Sequence, residues 1–160
     1  MKTSNLSISD ILKRKPHAYA TLCGSNEIPE IFGSVKFYQT NRGVIIYAEV
    51  TDLPKSDSKC ESNVFGFHIH EGTECNGDEK NRFSKAMSHY NPDSCEHPFH
   101  AGDMPPLFEN NGYALLIFLT NRFSVKEIIG KTIIVHSKPD DFTTQPSENS
   151  GKKIACGIIQ

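Results

Sequence analysis

The stretch VFGFHIHEGTEC, Val64 to Cys75, carries two histidines one residue apart inside an apolar run. Side chains two apart on a β-strand leave the same face, so His68 and His70 stand side by side. Two imidazoles aimed at one point serve either as metal ligands or as a hydrogen-bonded pair in a core. Downstream, MSHYNPDSCEHPFHAGDMPPL supplies His89, His97, His100 and Asp103. Three imidazoles and one carboxylate are a suitable tetrahedral set for Zn²⁺. The prolines and glycines around them allow the chain to turn sharply, and a bound ion would supply the order that so polar a loop cannot draw from a core. The competing reading, a solvated loop that is merely rich in histidine, is disfavoured by four such groups in so short a span. His136 ends the apolar run TIIVH. With His68 and His70 it would complete three imidazoles mounted on strands, an arrangement suited to copper.

The elements that must position these residues read as β from His17 onward. HAYATLC alternates before Gly24, and GSVKFYQT and VIIYAEV alternate on either side of TNRG. That pattern predicts a hairpin with Gly43 at positive φ. Val44, Ile46, Ala48 and Val50 share one face, and Val35 and Phe37 can do the same on the partner strand. GYALLIFLT, KTIIVHS and KKIACGII supply further strands. In FSVKEIIG, Ser124 and Glu127 form a capping box, Phe123 and Ile128 a hydrophobic staple, and Gly130 a stop. Residues 1–16 read as an N-terminal extension in which SISDILKRK forms a short amphipathic helix. Short strands with two long loops, roughly Gly72–Leu107 and Ser137–Lys152, predict an all-β antiparallel sandwich or barrel for residues 17–160. Loops of that length are seldom idle.

Composition narrows the function classes. The chain has 160 residues and a formal net charge of −2, which argues against a general nucleic-acid binder. No apolar run reaches the length of a membrane span. The N-terminal residues show no secretory signal, so a cytoplasmic location with reduced cysteines is the default expectation. The five cysteines, Cys23, Cys60, Cys75, Cys95 and Cys156, are an odd number and leave at least one thiol over.

Taken together, GFHIHEG, HYNP, HAGD, IIVHSKPDD and IACGII, in that order, resemble the copper/zinc superoxide dismutases, and the likeness runs from about Pro16 to the C-terminus. The resemblance implies an eight-stranded Greek-key β-barrel, an immunoglobulin-like architecture. It implies copper ligands His68, His70, His89 and His136, and zinc ligands His89, His97, His100 and Asp103, with His89 the bridging imidazolate. Asp140 matches the carboxylate that links a copper histidine to a zinc histidine. Cys75 and Cys156 match the family's intrasubunit disulfide, which overrides the reduced-thiol default and would stabilise the fold by roughly 4–5 kcal/mol on a chain-entropy model. Cys60 and Cys95 fall outside the pattern, either paired with one another or free.

The activity implied is disproportionation of superoxide to O₂ and H₂O₂. His89 would hold and return a proton, and Lys153 would guide the anion. The family carries arginine where this chain has Lys153, so the charge is kept while the planar fork of donors is lost. The resemblance shows other departures: His97 and His100 stand closer together than in many relatives, the segment from Cys75 to His89 is longer, and the loop from Ser137 to Lys152 is short and poor in lysine. A non-catalytic copper- and zinc-binding relative, serving metal delivery or buffering, is the alternative these departures keep open. A β-sandwich interaction domain with structural zinc is a third reading. Family members include dimers and monomers, so a homodimer stays an open expectation.

Overall fold

The computed structural model describes residues 7–56, 58, 63–78, 82–145 and 149–160. The strands are β1 (Ala18–Gly24), β2 (Phe32–Thr40), β3 (Gly43–Thr51), β4 (Val64–Phe65), β5 (Phe67–His70), β6 (Leu107–Phe108), β7 (Ala114–Thr120), β8 (Thr132–His136) and β9 (Lys153–Ile158). Only Gly66 separates β4 from β5, so among the described residues the nine segments make eight strand runs. All pairings are antiparallel.

Seven strands form one sheet in the order β5-β8-β9-β1-β2-β3-β7, and β4 pairs with β6. β4 runs directly into β5 at one edge, while β6 leads through the Asn110–Tyr113 turn to β7 at the other edge. The short pair therefore joins the two ends of the curled sheet, and the barrel expected from the sequence results. β3 neighbours β7 rather than β4, which is the Greek-key crossover.

Alternation decides which side chains fill the interior. Val44, Ile46, Ala48 and Val50 on β3 are fully buried, and their register brings Ala48 opposite Val35 and Ile46 opposite Phe37. The hairpin turns at Asn41–Arg42, with Gly43 at φ 125° and the Thr40 hydroxyl donating to the Gly43 carbonyl at 2.8 Å. Helix α1 (Ile8–Leu12) is capped by Ser7 and Asp10 and is shorter than SISDILKRK predicts. Helix α2 (Val125–Ile128) has the expected Ser124–Glu127 box, with Phe123 and Ile128 buried beneath it.

Candidate metal centre

On β5 the two faces part company. Phe67 and Ile69 point into the core, whereas His68 and His70 point outward, yet both histidines are buried because the long loop covers them. That loop is stitched to the strand by backbone bonds. Tyr90 N–H donates to the Ile69 carbonyl and Gly102 N–H to the Tyr90 carbonyl, each at 2.8 Å, while Ile69 N–H donates to the Gly102 carbonyl at 2.9 Å. Isolated bridges follow, His70 beside His89 and His68 beside Asp103. Gly102 is required by this approach, since a Cβ there would lie 2.2 Å from the Ile69 carbonyl oxygen. On β8 the ladder with β9 shifts by one residue between Val135 and His136, so that His136 faces Lys153. A bulge of this kind re-aims a side chain.

Two clusters result. His68, His70, His89 and His136 bring one nitrogen each to within 4.8 Å of one another, and so do His89, His97, His100 and Asp103 with three nitrogens and a carboxylate oxygen. His89 belongs to both. In the first cluster, His70 Nε2 and His136 Nε2 are 3.1 Å apart, and the His89 ring centre is 4.3 Å from that of His68 and 4.8 Å from that of His70. In the second, Asp103 Oδ1 is 2.7 Å from His89 Nδ1 and 3.3 Å from His100 Nδ1, while Oδ2 is 3.1 Å from His97 Nδ1. No residue of either cluster exceeds 8% exposure.

The surroundings dictate the tautomers. A carboxylate or a carbonyl only accepts, so a ring nitrogen hydrogen-bonded to it carries the proton. Asp140 accepts from His68 Nε2 at 3.2 Å and from His97 Nε2 at 2.8 Å, one oxygen for each ring. In the neutral rings both Nδ1 atoms then present lone pairs. The Met87 carbonyl faces His70 Nδ1 at 2.9 Å, leaving a lone pair on Nε2. Burial pushes the Asp140 carboxyl up, but donation from His68, the Phe142 N–H and His97 outweighs it and holds the group at about 2. Burial, reinforced by His136, His89 and Lys153, holds His70 well below the ordinary imidazole range and so keeps it neutral. For Asp103 burial is again opposed, here by the hydrogen bond from His89 and the neighbouring imidazoles, and the net direction is down.

These features fit metal ions. His97 Nδ1 and His100 Nδ1 are buried and make no hydrogen bond, although Asp103 oxygens stand close by. Lone pairs converging on a carboxylate are poorly satisfied by one another and well satisfied by a cation. The all-imidazole cluster suits copper and the mixed nitrogen–oxygen cluster suits zinc. Asp140 also lies near Asp141, but the oxygens of Asp141 are occupied by Thr143 and Thr144.

Lys153, half-buried at the start of β9, donates from Nζ to the carbonyls of Met87 at 2.8 Å and Phe83 at 3.3 Å. Cys75 and Cys156 are bonded, with Cα atoms 5.6 Å apart, and pack with Phe83, Ala86 and Ile134 in a small cluster outside the barrel. Cys95 is an exposed thiol, and its pairing with Cys60 falls outside the described residues. Two further residues support the site without any signal in their spacing. Gln145 takes both backbone groups of His97, accepting from its N–H at 3.0 Å and donating to its carbonyl at 2.6 Å. Arg122 Nη1 reaches the carbonyls of Pro98, His100 and Asp103 at 3.0, 3.2 and 3.4 Å.

Comparison with known proteins bears on the same residues. The family model described as copper/zinc superoxide dismutase matches residues 31–159. "Superoxide dismutase [Cu-Zn] 2" of Aquifex aeolicus is 31% identical over 172 residues, covering 98% of this chain and 94% of that protein. The copper/zinc superoxide dismutase of Legionella pneumophila is 31% identical over 140 residues, covering 82% and 80%. Among solved structures, the Cu/Zn superoxide dismutase from Brucella abortus superimposes with a TM-score of 0.73 at 22% identity, covering 89% of this chain and 99% of that one. A double mutant of a superoxide-dismutase-like protein from Bacillus subtilis gives 0.71 at 27%, covering 88% and 95%. The matched span contains both histidine clusters, the carboxylate that joins them and the barrel that carries them: the chain belongs to the copper/zinc superoxide dismutase family.

Proposed function

We propose that the protein disproportionates superoxide, with His68, His70, His89 and His136 holding copper and His89, His97, His100 and Asp103 holding zinc. Copper would supply the one-electron couple by which two superoxide ions and two protons become O₂ and H₂O₂, and redox-inert zinc would supply only fixed charge and order. The observation that carries this reading is the dual membership of His89. Its Nδ1 lies on Asp103, and an imidazole has only one other nitrogen, so Nε2 serves the cluster of His68, His70 and His136. That nitrogen is placed to take a proton and hand it on.

The remaining residues orient and attract. Asp140 fixes the rings of His68 and His97 from behind, one oxygen to each. Lys153 brings positive charge to the rim of the first cluster, anchored on two carbonyls, and draws in a small anion that the net charge of −2 would otherwise repel. Lysine guides as a point charge and does not offer superoxide a pair of fixed donors.

The deciding experiment is metal content per chain, by elemental analysis, on protein reconstituted with both ions, followed by pulse radiolysis of superoxide decay. One copper and one zinc with copper-dependent decay is the expected result. Both metals bound without acceleration would instead establish a non-catalytic metal-binding relative.

We propose in addition that the chain forms a homodimer. Leu115, Ile117 and Leu119 alternate along the outer face of β7 at 52%, 39% and 50% exposure, an aliphatic row that favours self-association. Sedimentation velocity of the wild type against Ile117→Lys tests it, with a shift to monomer expected for the variant.

A further inference from the structure

Away from the histidine clusters, three cysteines line one cleft on one side of the barrel. Cys23 on β1 is an exposed thiol, and the antiparallel register puts it directly opposite Cys156 on β9, with Gly24 opposite Ala155. Tyr19 and Gln160 exchange both backbone hydrogen bonds, at 2.9 and 2.8 Å, and Ser25 N–H donates to the Ile154 carbonyl at 2.8 Å. Counting along the ladder in twos makes Cys23 and Cys156 a hydrogen-bonded pair. In such a pair the Cα atoms stand about 5.5 Å apart and both side chains leave the same face. That separation is within the range a disulfide spans, roughly 4.4–6.8 Å. Cys156 is already bonded to Cys75. All three residues line one cleft of about 430 Å³, whose wall also includes Asn76, Arg82 and Phe83.

We propose that Cys23, Cys75 and Cys156 form a thiol–disulfide exchange site. The Cys23 thiolate attacks Sγ of Cys156, the Cys23–Cys156 bond forms as the Cys75–Cys156 bond breaks, and the bonding electron pair leaves on Cys75 Sγ. Cys23 loses its proton to solvent and Cys75 takes one up. The step consumes no oxidant or reductant, because one disulfide replaces another. The chain thus keeps a bond at Cys156 while the loop holding Cys75 is released. That loop runs on to the 3₁₀ turn Ser84–Ala86 and to the Phe83 and Met87 carbonyls that receive Lys153. Exchange therefore unclips the segment that seats the lysine and leaves the barrel strands cross-linked.

The test is disulfide mapping by mass spectrometry of non-reduced digests, quenched in acid, on the metal-loaded full-length protein. In Cys75→Ser, oxidised with glutathione disulfide, a Cys23–Cys156 linkage is expected as the dominant product at Cys156. A Cys156 that stays free, takes glutathione or pairs with Cys60 or Cys95 overturns the proposal. The wild type at mildly alkaline pH, where thiolates are populated, covers the case in which that variant does not fold. There a Cys23–Cys156 fraction with Cys75 open to a thiol-specific alkylating agent supports exchange. A Cys75–Cys156 linkage alone, with Cys23 labelled and Cys75 unlabelled, refutes it.

Discussion

Lys153 and His70 donate to the same acceptor, the carbonyl oxygen of Met87, at 2.8 Å from Nζ and 2.9 Å from Nδ1. Met87 adopts φ 63° and ψ −149°, a backbone conformation that residues other than glycine rarely adopt. Its geometry nevertheless fixes both the tautomer of His70 and the position of the Lys153 ammonium. Met87→Gly should relieve the strain and raise unfolding stability by about 1 kcal/mol with metal binding retained. Met87→Pro cannot adopt a positive φ and loses the N–H that bonds the Ser84 carbonyl, so weaker copper retention is expected. Thermal unfolding and metal titration read the two cases.

Lys153→Ala should leave both metals bound and slow superoxide decay by about tenfold at low ionic strength, with the difference shrinking as salt rises. Lys153→Arg should match or exceed the wild type. Pulse radiolysis across an ionic-strength series checks this, and an unaltered rate in Lys153→Ala would rule out guidance by this residue.

Asp140→Asn exchanges a group that accepts from two rings for one that accepts with one atom and donates with the other. One of His68 and His97 must then turn or change tautomer, and metal affinity should fall by about 10–100-fold, as for other outer partners of metal-bound histidines. In the metal-free wild type the carboxyl is held at about 2. A depressed carboxyl contributes stability that is fully present above its ordinary value, around 4, and lost as pH falls through the folded value. The wild type should therefore lose this contribution between about pH 4 and pH 2, and Asp140→Asn should lack that part of the acid dependence. Acid titration followed by circular dichroism measures the difference.

Arg122→Ala removes the donor from the carbonyls of Pro98, His100 and Asp103. A cost of about 1 kcal/mol is expected, since the group is exposed and water replaces part of the interaction. The loss should show chiefly as faster zinc release to a chelator, with copper release little changed.

The barrel was largely legible because its signals are local. Period-two alternation marks β2 and β3, the Thr40–Gly43 turn demands a positive φ, and the Ser124–Glu127 box announces α2. His68 and His70 declared themselves by spacing, His89, His97, His100 and Asp103 by density in one loop, and His136 by its place at the end of the apolar run TIIVH. Gln145 and Arg122 were not legible: each acts on carbonyl or amide groups more than nineteen residues away in most of its contacts, and backbone groups leave no trace in residue type. The bulge at Val135–His136 was equally silent, since it depends on how β8 meets β9 rather than on either strand alone. Cys23 gave only an odd thiol, because its partnership with Cys156 exists in the register and not in the spacing.

The histidines of β5 and β8 stand on the outer surface of a barrel whose interior is filled by aliphatic and aromatic side chains. Their burial comes from loops laid over that surface. Ions held there would load and leave through local opening of those loops, so the centre would exchange its metals without unfolding of the barrel.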